Sequence, residues 1–400
     1  MKNLFLTAIL LMFLFSCKKE IGSTQLQSTD VSSATASGSR IYFTQPGNYI
    51  NENFNYSPGD TFVLKSGIDY TYFVLSNVHD VTIINEGGVV HLQNGFNLAN
   101  CNNVTITGTG TDQFYGFEVS GHTAGDVGVD INGKSSNITC EHLYIHDKTY
   151  GYWVKQEVAS TCDESLYYPN WYMDNITIRN CKIKSMNQEG MYLGSTGQNA
   201  DRPNGCGKYP YPMRLSNISV YNNIVDSTGR GGIMLSGADE GINKISNNTI
   251  TRCGFEYNSY QGNGIVIGGN SYAIIDSNTI KNTLCDGIWV LGTGTTRVRY
   301  NNIDSSGWLE GTYAGNMHGI SFDARPSHPF TLSTFRIRGN TIGKHTDNAD
   351  IYIYNTTQDD NGKMESGFST TGNLIYNNNN GNAVVSVQTG ILYSIGINFP

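Results

Sequence analysis

Asn278-Thr279-Ile280, followed by Gly287-Ile288-Trp289-Val290, is a pair of phrases that this chain repeats. The first recurs as Asn222-Asn223-Ile224, Asn248-Thr249-Ile250, Asn301-Asn302-Ile303, Asn340-Thr341-Ile342 and Asn373-Leu374-Ile375. The second, a glycine or small polar residue before apolar-x-apolar, recurs as Gly232-Ile233-Met234-Leu235 and Gly264-Ile265-Val266-Ile267. The asparagine phrases are separated by 26, 30, 23, 39 and 33 residues. The shortest interval is the unit, and the longer ones carry inserted loops. Each unit holds short apolar alternations between Asn/Gly turns, with no helical period beyond residue 20. A unit this short cannot bury its own apolar face, so it stacks on the next. The expected fold is all-β, a single coil of parallel strands with about ten turns, hence a rod of roughly 45–50 Å at ~4.8 Å per turn. Upstream, Val81-Thr82-Ile83, Val104-Thr105-Ile106, Ile138-Thr139, Ile176-Thr177-Ile178 and Ile218-Ser219-Val220 extend the pattern.

The repeating asparagines read as scaffold. Asparagine tolerates the left-handed conformation of a sharp turn. Stacked at one corner, the amides can bond from coil to coil as a ladder. Triplets such as Asn137-Ile138-Thr139 look like glycosylation acceptors but belong to the same turn-strand phrase.

The composition suits this reading. Of 400 residues, 46 are glycine, 25 tyrosine and only 14% charged, yet apolar residues interrupt the polar ones regularly. A net charge of −8 argues against a nucleic-acid partner. At the N-terminus, Lys2 precedes an apolar run from Leu4 to Phe15 that is too short to span a membrane and has the shape of a signal peptide. Leu14-Phe15-Ser16-Cys17 resembles a bacterial lipobox, with Cys17 as lipid acceptor. Residues 1–16 are thus expected to be a lipoprotein signal, 17–40 a lipidated N-terminus and flexible tether, and 41–400 the coil. The expected location is the outer membrane or cell surface, held only through the lipid. Cys101, Cys140 and Cys181 sit beside strand phrases and read as core thiols. Cys162 and Cys206 lie in long insertions of neighbouring repeats, a candidate disulfide in an oxidising envelope. No cysteine or histidine spacing resembles a zinc site.

These repeats resemble the right-handed parallel β-helix of pectin-lyase-like proteins, across residues 41–395. Ser57-Pro58-Gly59-Asp60-Thr61-Phe62-Val63-Leu64-Lys65-Ser66-Gly67 resembles the opening coil of such folds, and an N-terminal cap is expected. The family spans polysaccharide lyases, glycoside hydrolases, epimerases, tailspikes and adhesins, so the resemblance implies architecture and a carbohydrate context rather than one activity. The paired-Asp and Gly-His-Gly signatures of polygalacturonases and the Arg-x-Pro-x-x-Arg segment of pectate lyases are absent. Tyr115-Gly116-Phe117-Glu118 with His122 resembles the Tyr-Gly-Phe-Asp-Pro-His motif of alginate epimerases. It departs by Glu118 for Asp and by Val119-Ser120 before the histidine.

The second phrase assigns faces. In Gly-Ile-x-Leu the flanking apolar residues point inward and x points outward. This aligns Trp153, Tyr192, Met234, Val266, Trp289, Ser321 and Tyr352 in one outward column. Its aromatics, Trp153, Tyr192, Trp289 and Tyr352, suit stacking on the rings of a linear polysaccharide. The plain alternative is that the insertions at 156–174 and 195–214 cover them. Glu189, Asn263, Asp286 and His318 lie just before the strand at equivalent positions. Lys155 and Asp323 lie just after it, with Arg325 beyond. Asp286 and His318, one coil apart at ~5 Å, are placed for a carboxylate to orient an imidazole.

Two chemistries fit. A lyase needs a base (Lys, His, Tyr or Arg) and a cation or Ca²⁺ to neutralise a uronate carboxylate, and Lys155, His318 and Arg325 could serve. A hydrolase needs two carboxylic acids, from Glu189, Asp286 and Asp323. The alternative from another class is a non-catalytic adhesin or envelope scaffold. No cofactor is required by the sequence itself.

Overall fold

Alternating Ile-x-Ile segments, with one side apolar and the other polar, form strands that need a shared interior. The computed structural model describes residues 38–354 apart from 122–124, 198–199, 201, 259–260, 292–293, 324–332 and 348, and the backbone of 374–378 and 385–387. Cys17, with the signal and tether segments, lies outside these residues. The described residues contain strands and three short 3-10 turns, without an α-helix.

The strands form three parallel stacks wound as a right-handed β-helix. The first runs from Arg40–Phe43 through Tyr172–Arg179 and Ser271–Asp276 to Leu374–Asn378. The second includes Leu143–Lys148, Ile224–Thr228, Thr279–Thr283 and Asn302–Ser306. The third includes Tyr150–Val154, Met191–Leu193, Ile233–Leu235, Ile265–Ile267, Ile288–Leu291, Ile320–Asp323 and Ile351–Tyr354. Registers are in step. Val225, Ile250, Ile280 and Ile303 pair in succession on the second stack, all fully buried. Ile233, Ile265, Ile288, Ile320 and Ile351 do the same on the third. Each such side chain contributes about 1.5–3 kcal/mol by burial.

The glycine at the start of the third-stack strands as far as Ile320–Asp323, replaced by Asp350 before Ile351–Tyr354, has a steric cause. A Cβ at Gly287 would overlap a methyl of Ile303 and the Gly319 carbonyl of the next coil. Gly264 meets Ile280 and the Gly287 carbonyl in the same way. The residue just before this glycine therefore stands at a corner, facing out.

The asparagine reading needs a correction. Two adjacent columns divide the roles assigned to one. The left-handed residues are Asn180, Asn222, Asn247, Ser277, Tyr300 and Gly339, with φ between 55° and 61°. The next residues, Asn223, Asn248, Asn278, Asn301 and Asn340, are buried and form the ladder. Asn248 donates its backbone N–H to Asn278 Oδ1 at 3.0 Å and its amide to the same oxygen at 2.9 Å. Asn278 repeats both bonds to Asn301 at 2.9 Å, and its amide also reaches the Ile245 carbonyl at 3.0 Å. Asn222 thus belongs to the turn and Asn223 to the ladder. The glycosylation-like triplets are turns too: Asn137, Asn175 and Asn217 have φ near 55°.

Candidate functional site

The corner positions of the third stack come into register through the backbone. Gly151, Gly232, Gly264 and Gly287 donate to the carbonyls of Glu189, Asn263, Asp286 and His318. The bonds place Glu189, Gly231, Asn263, Asp286 and His318 in one line along the rod. Three residues on, Trp153, Tyr192, Met234, Val266, Trp289, Ser321 and Tyr352 pair successively, in the register expected from the sequence. The column is not evenly open. Met234 and Val266 are 9% and 2% exposed. They form a small apolar cluster with Leu291 outside the coil, against which Tyr192 and Trp289 lean.

Asp286 and His318 do meet. Asp286 Oδ1 accepts the His318 backbone N–H at 2.7 Å and lies 3.3 Å from His318 Nδ1. Ser321 Oγ is 3.2 Å from the same nitrogen. The Asp286 backbone is in turn fixed by Asn263 Oδ1 at 3.0 Å. The imidazole stacks on Tyr352 with centroids 4.8 Å apart and planes 17° apart. Tyr352 stacks on Tyr354, whose hydroxyl accepts from Trp289 Nε1 at 3.0 Å. On the other side of the ring, His318 Nε2 is 3.7 Å from Asp347 Oδ2. All of these groups except Asp347 line a cleft of about 190 Å³. It offers an oriented imidazole, ringed by aromatic surface and backed by carboxylates.

The other expected residues fall elsewhere. Lys155, Ser236, Leu291 and Asp323 share the corner at which the strands leave this face, and all are buried. Asp323 is fully buried there and does not line the His318 cleft. Lys155 is 3% exposed, its ammonium 3.9 Å from the Trp153 ring centre and 3.8 Å from that of Tyr192. Glu157 completes the cage at 3.1 Å. Those contacts make Lys155 a clasp between rings rather than a free base. Glu189 faces a separate cleft with Trp153 and Tyr192. Arg325 and His122 lie outside the described residues. Glu118 is on the second stack, between His146 at 3.0 Å and His91 at 3.4 Å. The epimerase-like segment is therefore not on the His318 face.

Asp347 had no sequence signal. It belongs to a loop placed by Met317, whose carbonyl accepts from the N–H groups of Thr346 and Asp347 at 3.2 and 3.1 Å. No group of three or more His, Cys, Asp or Glu among the described residues is arranged to hold a metal ion. Around His318 the two carboxylates stand on opposite sides of an imidazole, which does not fit the oxygen cage Ca²⁺ prefers.

The insertions beside the larger cleft are tied together. Cys162 and Cys206 form a disulfide, and the fully buried Arg214 pairs with Asp239 beneath Tyr168. Closing a loop of 44 residues is worth about 2–4 kcal/mol. The Cys162→Ser, Cys206→Ser double variant is expected to lose about that much, read as a lower urea midpoint. An unchanged midpoint would show that the bond does not hold the insertions.

Comparisons with known proteins agree with the architecture. The model of the right handed beta helix region matches residues 166–396. No curated protein matches the chain. Among solved structures it is similar to a double mutant of the periplasmic alginate epimerase AlgG, at 12% identity over 90% of this chain and 83% of that one, with a TM-score of 0.49. It is also similar to an alginate lyase from Paenibacillus sp. str. FPU-7, at 15% identity over 79% and 98%, with a TM-score of 0.43. A third is the A-module of the Azotobacter vinelandii mannuronan C-5 epimerase AlgE4, at 11% identity over 84% and 91%, with a TM-score of 0.30. On its stacked parallel strands and the family match over more than half its length, the chain belongs to the right handed beta helix family.

Proposed function

We propose that this protein acts on a linear acidic polysaccharide laid along the third stack, and that His318 is the base of a lyase reaction. The observation that carries this is the Asp286–His318 pair, seated in an aromatic cleft in line with the Trp153–Tyr352 column. With Nδ1–H donating to Asp286, Nε2 keeps its lone pair and takes the proton from the sugar carbon beside the carboxylate. The bond from the neighbouring carbon to the glycosidic oxygen then breaks, and a C=C bond forms between the two carbons. The leaving oxygen takes a proton from a phenol of the same cleft, Tyr352 or Tyr354. The imidazolium formed lies between Asp286 and Asp347.

A hydrolase is less well served, because the imidazole occupies the space between the two carboxylates where a sugar would have to sit. The test is incubation with polygalacturonate, polymannuronate, polyguluronate and glucuronate polymers, read by ultraviolet absorbance of the unsaturated product. Growth of that absorbance on one polymer is expected. Release of reducing ends without it would sink the lyase reading. The half-buried Trp153 and Tyr192 rings favour a second reading, binding without turnover, since they offer a stacking surface away from the His318 pair. A polymer that binds and stays intact would select it.

A further inference from the structure

Between Tyr150 and Trp289 the same face opens a second cleft, of about 400 Å³. Glu189 lies in its wall, 2% exposed. Its Oε1 is 3.9 Å from Arg230 Nη1, and its Oε2 is buried with no hydrogen-bond partner. Leaving a buried polar atom unpaired is unfavourable by about 1–3 kcal/mol. Arg230 is itself committed to Glu256 at 2.6 Å. Burial pushes the Glu189 carboxyl above its ordinary range, against the opposing pull of Arg230. The position after Glu189 in the same line is Gly231, so no side chain stands between Glu189 and Asn263 in that line. The coil does not demand that glycine: a Cβ there would meet the Asn263 carbonyl at an ordinary 3.5 Å. The Trp153 and Tyr192 rings, edge to face at 5.0 Å, wall one side. Arg202 stands exposed on the lining and makes no ion pair among the described residues.

We propose that this cleft is a uronate-recognition subsite: a sugar ring packs on Trp153 and Tyr192, its carboxylate pairs with Arg202, and one of its hydroxyls donates to the Glu189 carboxyl, which turns its unpaired oxygen to the cleft. Glu189 is thereby a specificity residue and not an acid of the reaction. Glu189 and His318 are four coils apart, ~19 Å along the rod. A chain must be several sugars long to reach both, so the subsite sets the polymer's register. The proposal rests on reading this face as an acidic-polysaccharide track, but not on turnover.

The test is calorimetric titration of the full chain carrying His318→Ala, which consumes nothing. The probes are hexamers of 1,4-linked galacturonate, mannuronate and guluronate, and the neutral 1,4-linked glucose hexamer. One uronate hexamer is expected to bind. Adding Arg202→Ala, a surface change that leaves folding intact, should weaken it about tenfold, as should Glu189→Ala. The neutral hexamer should be indifferent to Arg202→Ala. The proposal is overturned if no uronate hexamer binds, if both variants bind it undiminished, or if the neutral hexamer loses as much. A wild-type protein that binds through Glu189 and Arg202 but cleaves nothing removes the lyase reading and leaves this subsite standing. A working lyase indifferent to both substitutions does the reverse.

Discussion

His318→Ala is expected to lower turnover of the acidic polymer by ~10²–10⁴-fold, the contribution of a positioned general base, with KM little changed. The His318 side chain is 10% exposed and its ring is stacked on Tyr352, so its loss leaves a gap beside an aromatic face rather than a breach in the coil. Substrate contacts along Trp153, Tyr192 and Trp289 remain. Asp286→Asn keeps an oxygen for the His318 backbone N–H but removes the charge behind Nδ1. It should lower kcat by about 10²-fold. Both variants should melt close to wild type. Equal rates for His318→Ala and wild type would end the assignment of the base. A large rise in KM at constant kcat would mean that His318 only binds.

The second large effect concerns stability. Asn278→Ala removes an amide on which several groups depend. It strands the backbone N–H of Asn248 and one hydrogen of the Asn248 amide, and it takes one donor each from the Ile245 carbonyl and from Asn301 Oδ1, which keeps the backbone N–H of residue 278, all inside the coil. At about 1–3 kcal/mol per stranded buried group, and with two bonds sharing each acceptor, a loss of about 4 kcal/mol is expected. Asn222, one column away, is the contrast. It sits on the turn at φ 58° with no part in the ladder. Asn222→Gly suits that conformation and should be near neutral. Thermal melts of the two variants check this. Similar shifts for both would mean that the buried column is not the coil's fastening.

Much of the third face was legible because strand alternation is strict. Once Gly-Ile-x-Leu is recognised, Trp289 must point out, and its partners follow at each repeat. The misses have separate physical causes. Asn222 and Asn223 are adjacent, so the letters alone allow a slip of one residue, and only the coil-to-coil bonds fix which is buried. Lys155 and Asp323 obey the outward alternation, yet they stand at a corner that the chain itself closes over. Met234 and Val266 point outward but are covered, since alternation reports direction and not what lies above. Asp347 reaches His318 through a loop held by Met317, and no periodicity encodes a loop.

The glycines that open the third-stack strands as far as Ile320–Asp323 carry a consequence for how such a chain changes over time. They are held by packing from behind, which leaves the preceding residue out of the coil's apolar interior. Glu189, Gly231, Asn263, Asp286 and His318 occupy that position in five consecutive coils, and no two are alike. The strand bonds there run through the backbone, while Asn263 and Asp286 each also cap the N–H of the next coil, so those two addresses are rewritten together with their neighbours and Glu189 and Gly231 singly. A lineage built on this rod can trade one specificity for another by editing letters at fixed addresses, with the barrel beneath left as it was.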